Sequence, residues 1–161
     1  MRILGIDPGI GRTGWGIITV ESGKLRVENF GCIETGAATP MEKRLQELYA
    51  QLIKLIKAGK PEALAIEDLF FNTNAKTALI VGQARGIVLL AAAKNNLEIA
   101  VYTPLQVKIA VTGYGRAEKG QVGQMVKTLL KLDQIPKPDD TADALAIALT
   151  HAFSHRVNKL K

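Results

Sequence analysis

The sequence predicts an α/β fold, a five-stranded mixed sheet flanked by helices. Two features of the residue order carry this expectation. Three strand-like segments follow one another, separated by glycine-containing turns, and read as an antiparallel meander. Helical and strand-like patterns then alternate to the end of the chain, which places later strands parallel to one another with helices packed against the sheet.

The first strand is expected over Arg2 to Asp7, where Ile3, Leu4 and Ile6 suit a surface covered on both sides and Pro8-Gly9 turns the chain. The second and third strands are expected over Thr13 to Val20 and Lys24 to Thr35. From Pro40, Met41, Leu45, Leu48, Leu52, Ile53, Leu55 and Ile56 recur at helical spacing until Gly59-Lys60-Pro61. A short apolar strand, Ala63 to Ile66, ends in Glu67 and Asp68. An alanine-rich helix is predicted from Asn74 to Asn95, a strand from Glu98 to Tyr102, and a short helix from Thr103-Pro104. The loop Gly113-Tyr114-Gly115-Arg116 leads to a helix over Glu118 to Leu132, and Pro138 opens a last helix to about Val157.

With 161 residues, 47% hydrophobic and 22% charged, the chain has the make-up of one globular domain over residues 1–161, with a disordered tail expected at about 156–161. Cys32 is the single cysteine, so no internal disulfide is possible and a reducing cytoplasm is the expected compartment. No uncharged run reaches the roughly 18 residues of a membrane span, so no membrane association is expected. The formal net charge of +6 is uneven. Lys108, Arg116, Lys119, Lys127, Lys131 and Lys137 face only Glu118 and Asp133 between positions 108 and 137. Such a segment suits phosphates, and equally a solvated helix face.

The acidic residues are more specific. Asp7 is delivered rigidly by a strand end, close to buried residues, where an unpaired acid carries a desolvation cost. Glu67 or its neighbour Asp68 ends a second strand, and alternation of side chains lets only one of them face a given site. Asp140 and Asp143 are three apart and share a helix face. With Asp139 they also suit the capping of a helix and its positive N-terminal end. Strand-end acids and a helical pair together make an all-oxygen cluster, which favours Mg²⁺ or Mn²⁺ over zinc and serves phosphoryl transfer or phosphodiester hydrolysis. His151 and His155 share a helix face but lie about two turns beyond Asp143, a poor arrangement for zinc. Gly82 and Gly86, four apart, open one face of the alanine-rich helix to close packing, either inside the monomer or across a dimer.

Five motifs occur in order: Asp7-Pro8-Gly9 with Thr13-Gly14-Trp15-Gly16; Ile66-Glu67 ahead of Phe70-Phe71; Gly82-Gln83-Ala84-Arg85-Gly86; Ala117-Glu118-Lys119; and Asp140-Thr141-Ala142-Asp143-Ala144-Leu145-Ala146. In these, from Arg2 to about Ser154, the chain resembles the RuvC family of bacterial crossover junction endodeoxyribonucleases. The resemblance implies an RNase H-like fold and a homodimer. It implies resolution of four-way (Holliday) DNA junctions in recombination and repair by paired symmetric nicks, leaving a 5′ phosphate and a 3′ hydroxyl. The catalytic acids and metal ligands of the family fall on Asp7, Glu67, Asp140 and Asp143, with two Mg²⁺ ions per site and Mn²⁺ as a substitute. The spacing to Asp143 selects Asp140 over Asp139 and leaves Asp139 as the cap. DNA-contacting positions fall on Lys108 and Lys119, with Arg116 in the same basic segment. Phe70 falls on a base-stacking aromatic, with Phe71 as the alternative or as core. The small-residue helix carrying Gly82 and Gly86 is the expected dimer contact, and the branch-migration proteins RuvA and RuvB are the implied partners.

Two other readings fit parts of the chain. A phosphotransferase of the actin and sugar-kinase type shares the opening strand, acid and glycine turn, but needs two copies of the domain around its nucleotide. A junction-binding module without catalysis shares the fold, but has no need of all four acids.

Overall fold

A computed structural model describes residues 1–68 and 75–159, with side chains described through residue 155. Ten elements follow in the order β1 (Arg2–Asp7), β2 (Arg12–Glu21), β3 (Lys24–Glu34), α1 (Met41–Gly59), β4 (Ala63–Glu67), α2 (Ala75–Lys94), β5 (Glu98–Tyr102), α3 (Pro104–Thr112), α4 (Lys119–Leu130) and α5 (Asp139–Lys159). The sheet has five strands in the order β3-β2-β1-β4-β5. The meander β1-β2-β3 is antiparallel, and β4 and β5 join it in parallel. This is the mixed sheet expected from the residue order.

Both faces of the sheet are covered, and side-chain parity divides the core in two. Leu4 and Ile6 of β1 and Leu64 and Ile66 of β4 pack with Leu48, Leu52 and Ile56 of α1 and Ala84 and Val88 of α2. Ile3 and Ala65 point the other way, into a core built with Val107 of α3, Val126 of α4 and Leu145 and Leu149 of α5. By the same alternation Asp7 and Glu67 project toward the α5 side.

α5 lies unusually close to the meander because glycines leave it room. A Cβ on Gly5 would collide with the Ala144 carbonyl and stand 2.8 Å from Ala148 Cβ. A Cβ on Gly14 would collide with the Asp140 carbonyl, and one on Gly16 would strike the Leu145 side chain. Thr141 Oγ1 adds a hydrogen bond to the Gly31 carbonyl of β3 at 3.1 Å. These contacts set the height at which the start of α5 crosses the end of β1.

Helix ends differ from the sequence expectation in detail. Glu118 is the N-cap of α4 rather than its first residue, and its N–H donates to Gln121 Oε1 at 2.8 Å. Asp139, the expected cap of the last helix, is instead its first residue and stands in the first turn. α5 continues to Lys159, past Val157.

Substituting Gly14 with Ala is expected to destabilise the fold by about 1–3 kcal/mol in urea melts, because the new methyl must displace α5 backbone. Gly120→Ala is the control: nothing lies within 4 Å of the added Cβ, so a helix-propensity gain of about 0.5–1 kcal/mol is expected.

Candidate active site

Asp7 at the end of β1, Glu67 at the end of β4 and Asp143 on the second turn of α5 line one cavity of about 200 Å³ with Lys108 and Lys119. Parallel pairing of Ile6 with Ile66 puts the two strand ends side by side. This register also separates Glu67 from Asp68: Glu67 enters the cavity, while Asp68 is exposed and faces the Arg85 guanidinium of α2 at 3.8 Å. Pro104, Val107, Val122, Ala146 and Ile147 form an apolar wall around the carboxylates.

Asp140 stands at the margin, one turn before Asp143. Its Oδ2 lies 3.9 Å from Arg12 Nε at the start of β2. Lys119, the first residue of α4, reaches across to Asp143 Oδ2 at 2.9 Å and Asp139 Oδ2 at 3.7 Å. A lysine at a helix N-terminus opposes the helix dipole, and the two carboxylates offset that conflict.

The electrostatics follow from burial and crowding. Burial first, then the charges of Asp143, Glu67 and Asp140, push the Asp7 carboxyl up to about 7. Burial also raises Glu67 and Asp143, each against the opposing pull of Lys119. Lys119 is raised in turn, chiefly by its hydrogen bond to Asp143. The cavity therefore holds more negative charge than its lysines neutralise. An all-oxygen donor set with a charge deficit fits a hard divalent cation. With the side chains as described, no three acidic, histidine or cysteine groups among the described residues stand close enough to share one ion.

Other expected site residues are placed apart. Arg116 is exposed on the α3–α4 loop and is not among the residues lining the carboxylate cavity. Phe70 and Phe71 lie outside the described residues. Gly86 is exposed on α2 with nothing within 4 Å of an added Cβ, and Gly82 is half-buried one turn before it. His151 is buried and its Nδ1 is hydrogen-bonded to the Tyr102 hydroxyl at 2.8 Å. Sequence reasoning assigned no role to Arg12 or to Arg85, whose Nε lies 3.5 Å from the Glu67 carbonyl. Arg85 sits in the Gly82-Gln83-Ala84-Arg85-Gly86 motif, but nothing in its spacing shows that a helix residue reaches a strand end.

Residues 3–151 match the family model of crossover junction endodeoxyribonuclease RuvC. The chain is 55% identical over 160 residues to the crossover junction endodeoxyribonuclease RuvC of Alkaliphilus metalliredigens, covering 99% of this chain and 98% of that one. The structure of Thermus thermophilus RuvC aligns with a TM-score of 0.90 at 39% identity, over 98% of this chain and 97% of the other. T. thermophilus RuvC in complex with Holliday junction substrate aligns at 0.89 and 37%, over 98% and 96%. The shared sheet and helices define a nuclease of the RNase H-like fold. The chain belongs to the RuvC family of crossover junction endodeoxyribonucleases.

The raised Asp7 carboxyl predicts a pH-dependent cost in the metal-free protein. Asp7 ionises near 3.8 when unfolded and near about 7 when folded. Stability is therefore unaffected by it at low pH and falls as pH rises between those values. Asp7→Asn should match the parent in urea unfolding with chelator near pH 4 and exceed it by about 2–4 kcal/mol at pH 8.

Proposed function

We propose that this chain is a metal-dependent endonuclease that resolves four-way DNA junctions by paired nicks. The observation that carries the reading is the placement of Asp7, half-buried with Glu67 and Asp143, in a cavity whose other charged lining groups among the described residues are Lys108 and Lys119. An acid so placed is disfavoured in its ionised form unless a cation joins it.

Asp7, Glu67, Asp143 and Asp140 would hold two Mg²⁺ ions, with Mn²⁺ as a substitute. Bound there, such ions polarise the scissile phosphate and make a water acidic enough to attack it at neutral pH. The chain's own groups do the rest. Lys108 and Lys119 neutralise charge that develops on the phosphate oxygens. Lys119 is three-fifths exposed, so it can exchange its pairing with Asp143 for a phosphate oxygen. The apolar wall of Val107, Val122 and Ile147 keeps competing water from the reacting phosphate. The products are a 5′ phosphate and a 3′ hydroxyl. Arg116 binds backbone phosphate outside the cavity, and Phe70 stacks on a base at the crossover, a role that Phe71 fills if Phe70 packs inward.

Paired nicks need two sites related by a two-fold axis. α2 supports a homodimer because it is apolar on both sides. Ala84, Val88, Ala91 and Ala92 face the core, while Leu79, Gly86 and Leu90 form an outward stripe in which Leu79 is 67% and Leu90 49% exposed. By length and composition this helix would pass for a membrane span. Its contacts with α1 and β5 on one side, and the glycines on the other, favour a second copy of the chain instead. Family membership supports work in the bacterial cytoplasm beside the branch-migration proteins RuvA and RuvB.

A labelled four-way junction with Mg²⁺ should be cut symmetrically, and plain duplex of the same sequence should be cut far less. Asp7→Asn or Asp143→Asn should lower kcat at least about 10³-fold while junction binding in gel shifts persists. Equal cutting of plain duplex would reject the junction assignment. Leu79→Glu with Leu90→Glu should sediment as a monomer and leave singly nicked junctions, whereas an intact dimer would place the interface elsewhere.

A further inference from the structure

Beside the carboxylate cavity lies a second groove, of about 430 Å³, between the C-terminus of α3 and α4. It is lined by Thr112, Tyr114, Gly120, Gln121, Gln124 and Met125, with no acid among its lining residues. We propose that this groove receives a nucleobase unstacked from the junction, with the Tyr114 ring as its stacking platform. The proposal rests on the junction-resolving function above and adds a binding subsite to it.

The loop is built to present that ring. Gly113 ends α3 with a left-handed backbone, φ 75°, and its N–H bonds to the Ile109 carbonyl at 2.8 Å. Thr112 Oγ1 accepts the Tyr114 N–H at 3.1 Å, and the Tyr114 carbonyl accepts the Ala117 N–H at 3.2 Å. Gly115 presses against α3, where an added Cβ would stand 2.6 Å from Leu105 Cδ1. The backbone on both sides of Tyr114 is thus tied down, yet the residue is 57% exposed. A fixed backbone carrying an exposed ring loses little entropy when a flat ligand stacks on it.

The other lining residues can meet both the edge and the plane of a base. Gly120 leaves open space, and Gln121 and Gln124 bring two amides, one of which is fixed by the Glu118 N–H bonding to Gln121 Oε1 at 2.8 Å. Amides and a thioether beside an aromatic face offer hydrogen bonds at the edge and dispersion over the plane. In sequence, the stretch between the lining residues Tyr114 and Gly120 carries Arg116 and Lys119 against the one acid Glu118, a balance that favours a phosphate-linked ligand.

Continuity with the cleft identifies the same ligand. α3 gives Lys108 to the carboxylate cavity and Thr112 to the groove, one helical turn apart, or about 6 Å. α4 gives Lys119 and Val122 to the first and Gln121 and Gln124 to the second. A strand with its scissile phosphate at the carboxylates therefore brings a neighbouring nucleotide over the groove.

The test is a binding cycle in chelator between the chain and four-way junctions carrying single abasic sites across the crossover. At one position the missing base should weaken wild-type binding about tenfold. Tyr114→Ala should abolish that loss and Tyr114→Phe should keep it. Phe70→Ala separates any second stacking position. If every damaging abasic site weakens Tyr114→Ala as much as the parent, or if no site matters, the groove is not a base subsite. Loss of the effect in Tyr114→Phe also overturns stacking, since the ring would then be replaceable only with its hydroxyl. A parent that neither binds the junction nor cuts it when Mg²⁺ is added would instead reject the function on which the subsite rests.

Discussion

The close crossing of α5 over the ends of β1 and β2 is the contact from which the site follows. Gly5, Gly14 and Gly16 have no side chain on the face where Ala144, Asp140 and Leu145 arrive. Packing of Leu145 and Leu149 into the core with Ile3 and Ile18 then fixes the helix at that height. Asp143 is carried to Asp7 as a consequence of how the core packs, and the acids cannot separate without opening it. The carboxylates are held together by apolar burial that outweighs their repulsion.

That repulsion is the functional content of the arrangement. Acids at a strand end, on a neighbouring strand and on a crossing helix meet in partial burial, where a charge is poorly solvated and like charges are poorly screened. Lys119 relieves part of this through Asp143 and leaves Asp7 raised. A site in this condition is poised for a small, hard, doubly charged ion. The same α4 that brings Lys119 to the acids also walls the second groove.

Much of this was legible in the residue order. β1 ended where Pro8-Gly9 demanded, and the strand–helix alternation fixed the sheet type. Asp7, Glu67 and Asp143 needed only strand alternation and helix spacing to be candidates. Other features depend on register and crossing, which no local pattern contains. Glu67 was separable from Asp68 only once β4 paired with β1 in a known register. Asp139 is the first residue of α5 rather than its cap. α2 is apolar on both sides, so its sequence carries no periodicity to say which side is core. Arg12 meets Asp140 across elements distant in sequence, and the groove beside Tyr114 depends on the angle at which α3 and α4 meet.

The proposed metal site implies that cation binding and Asp7 ionisation are one event. Calorimetric titration of the protein with Mg²⁺ in buffers of different ionisation enthalpy measures the protons released on binding. Near pH 6, release should approach about one proton per chain, vanish by about pH 8.5, and be absent in Asp7→Asn. Mg²⁺ binding with no proton release at pH 6 would sever this coupling, because Asp7 would then be ionised before the ion arrives.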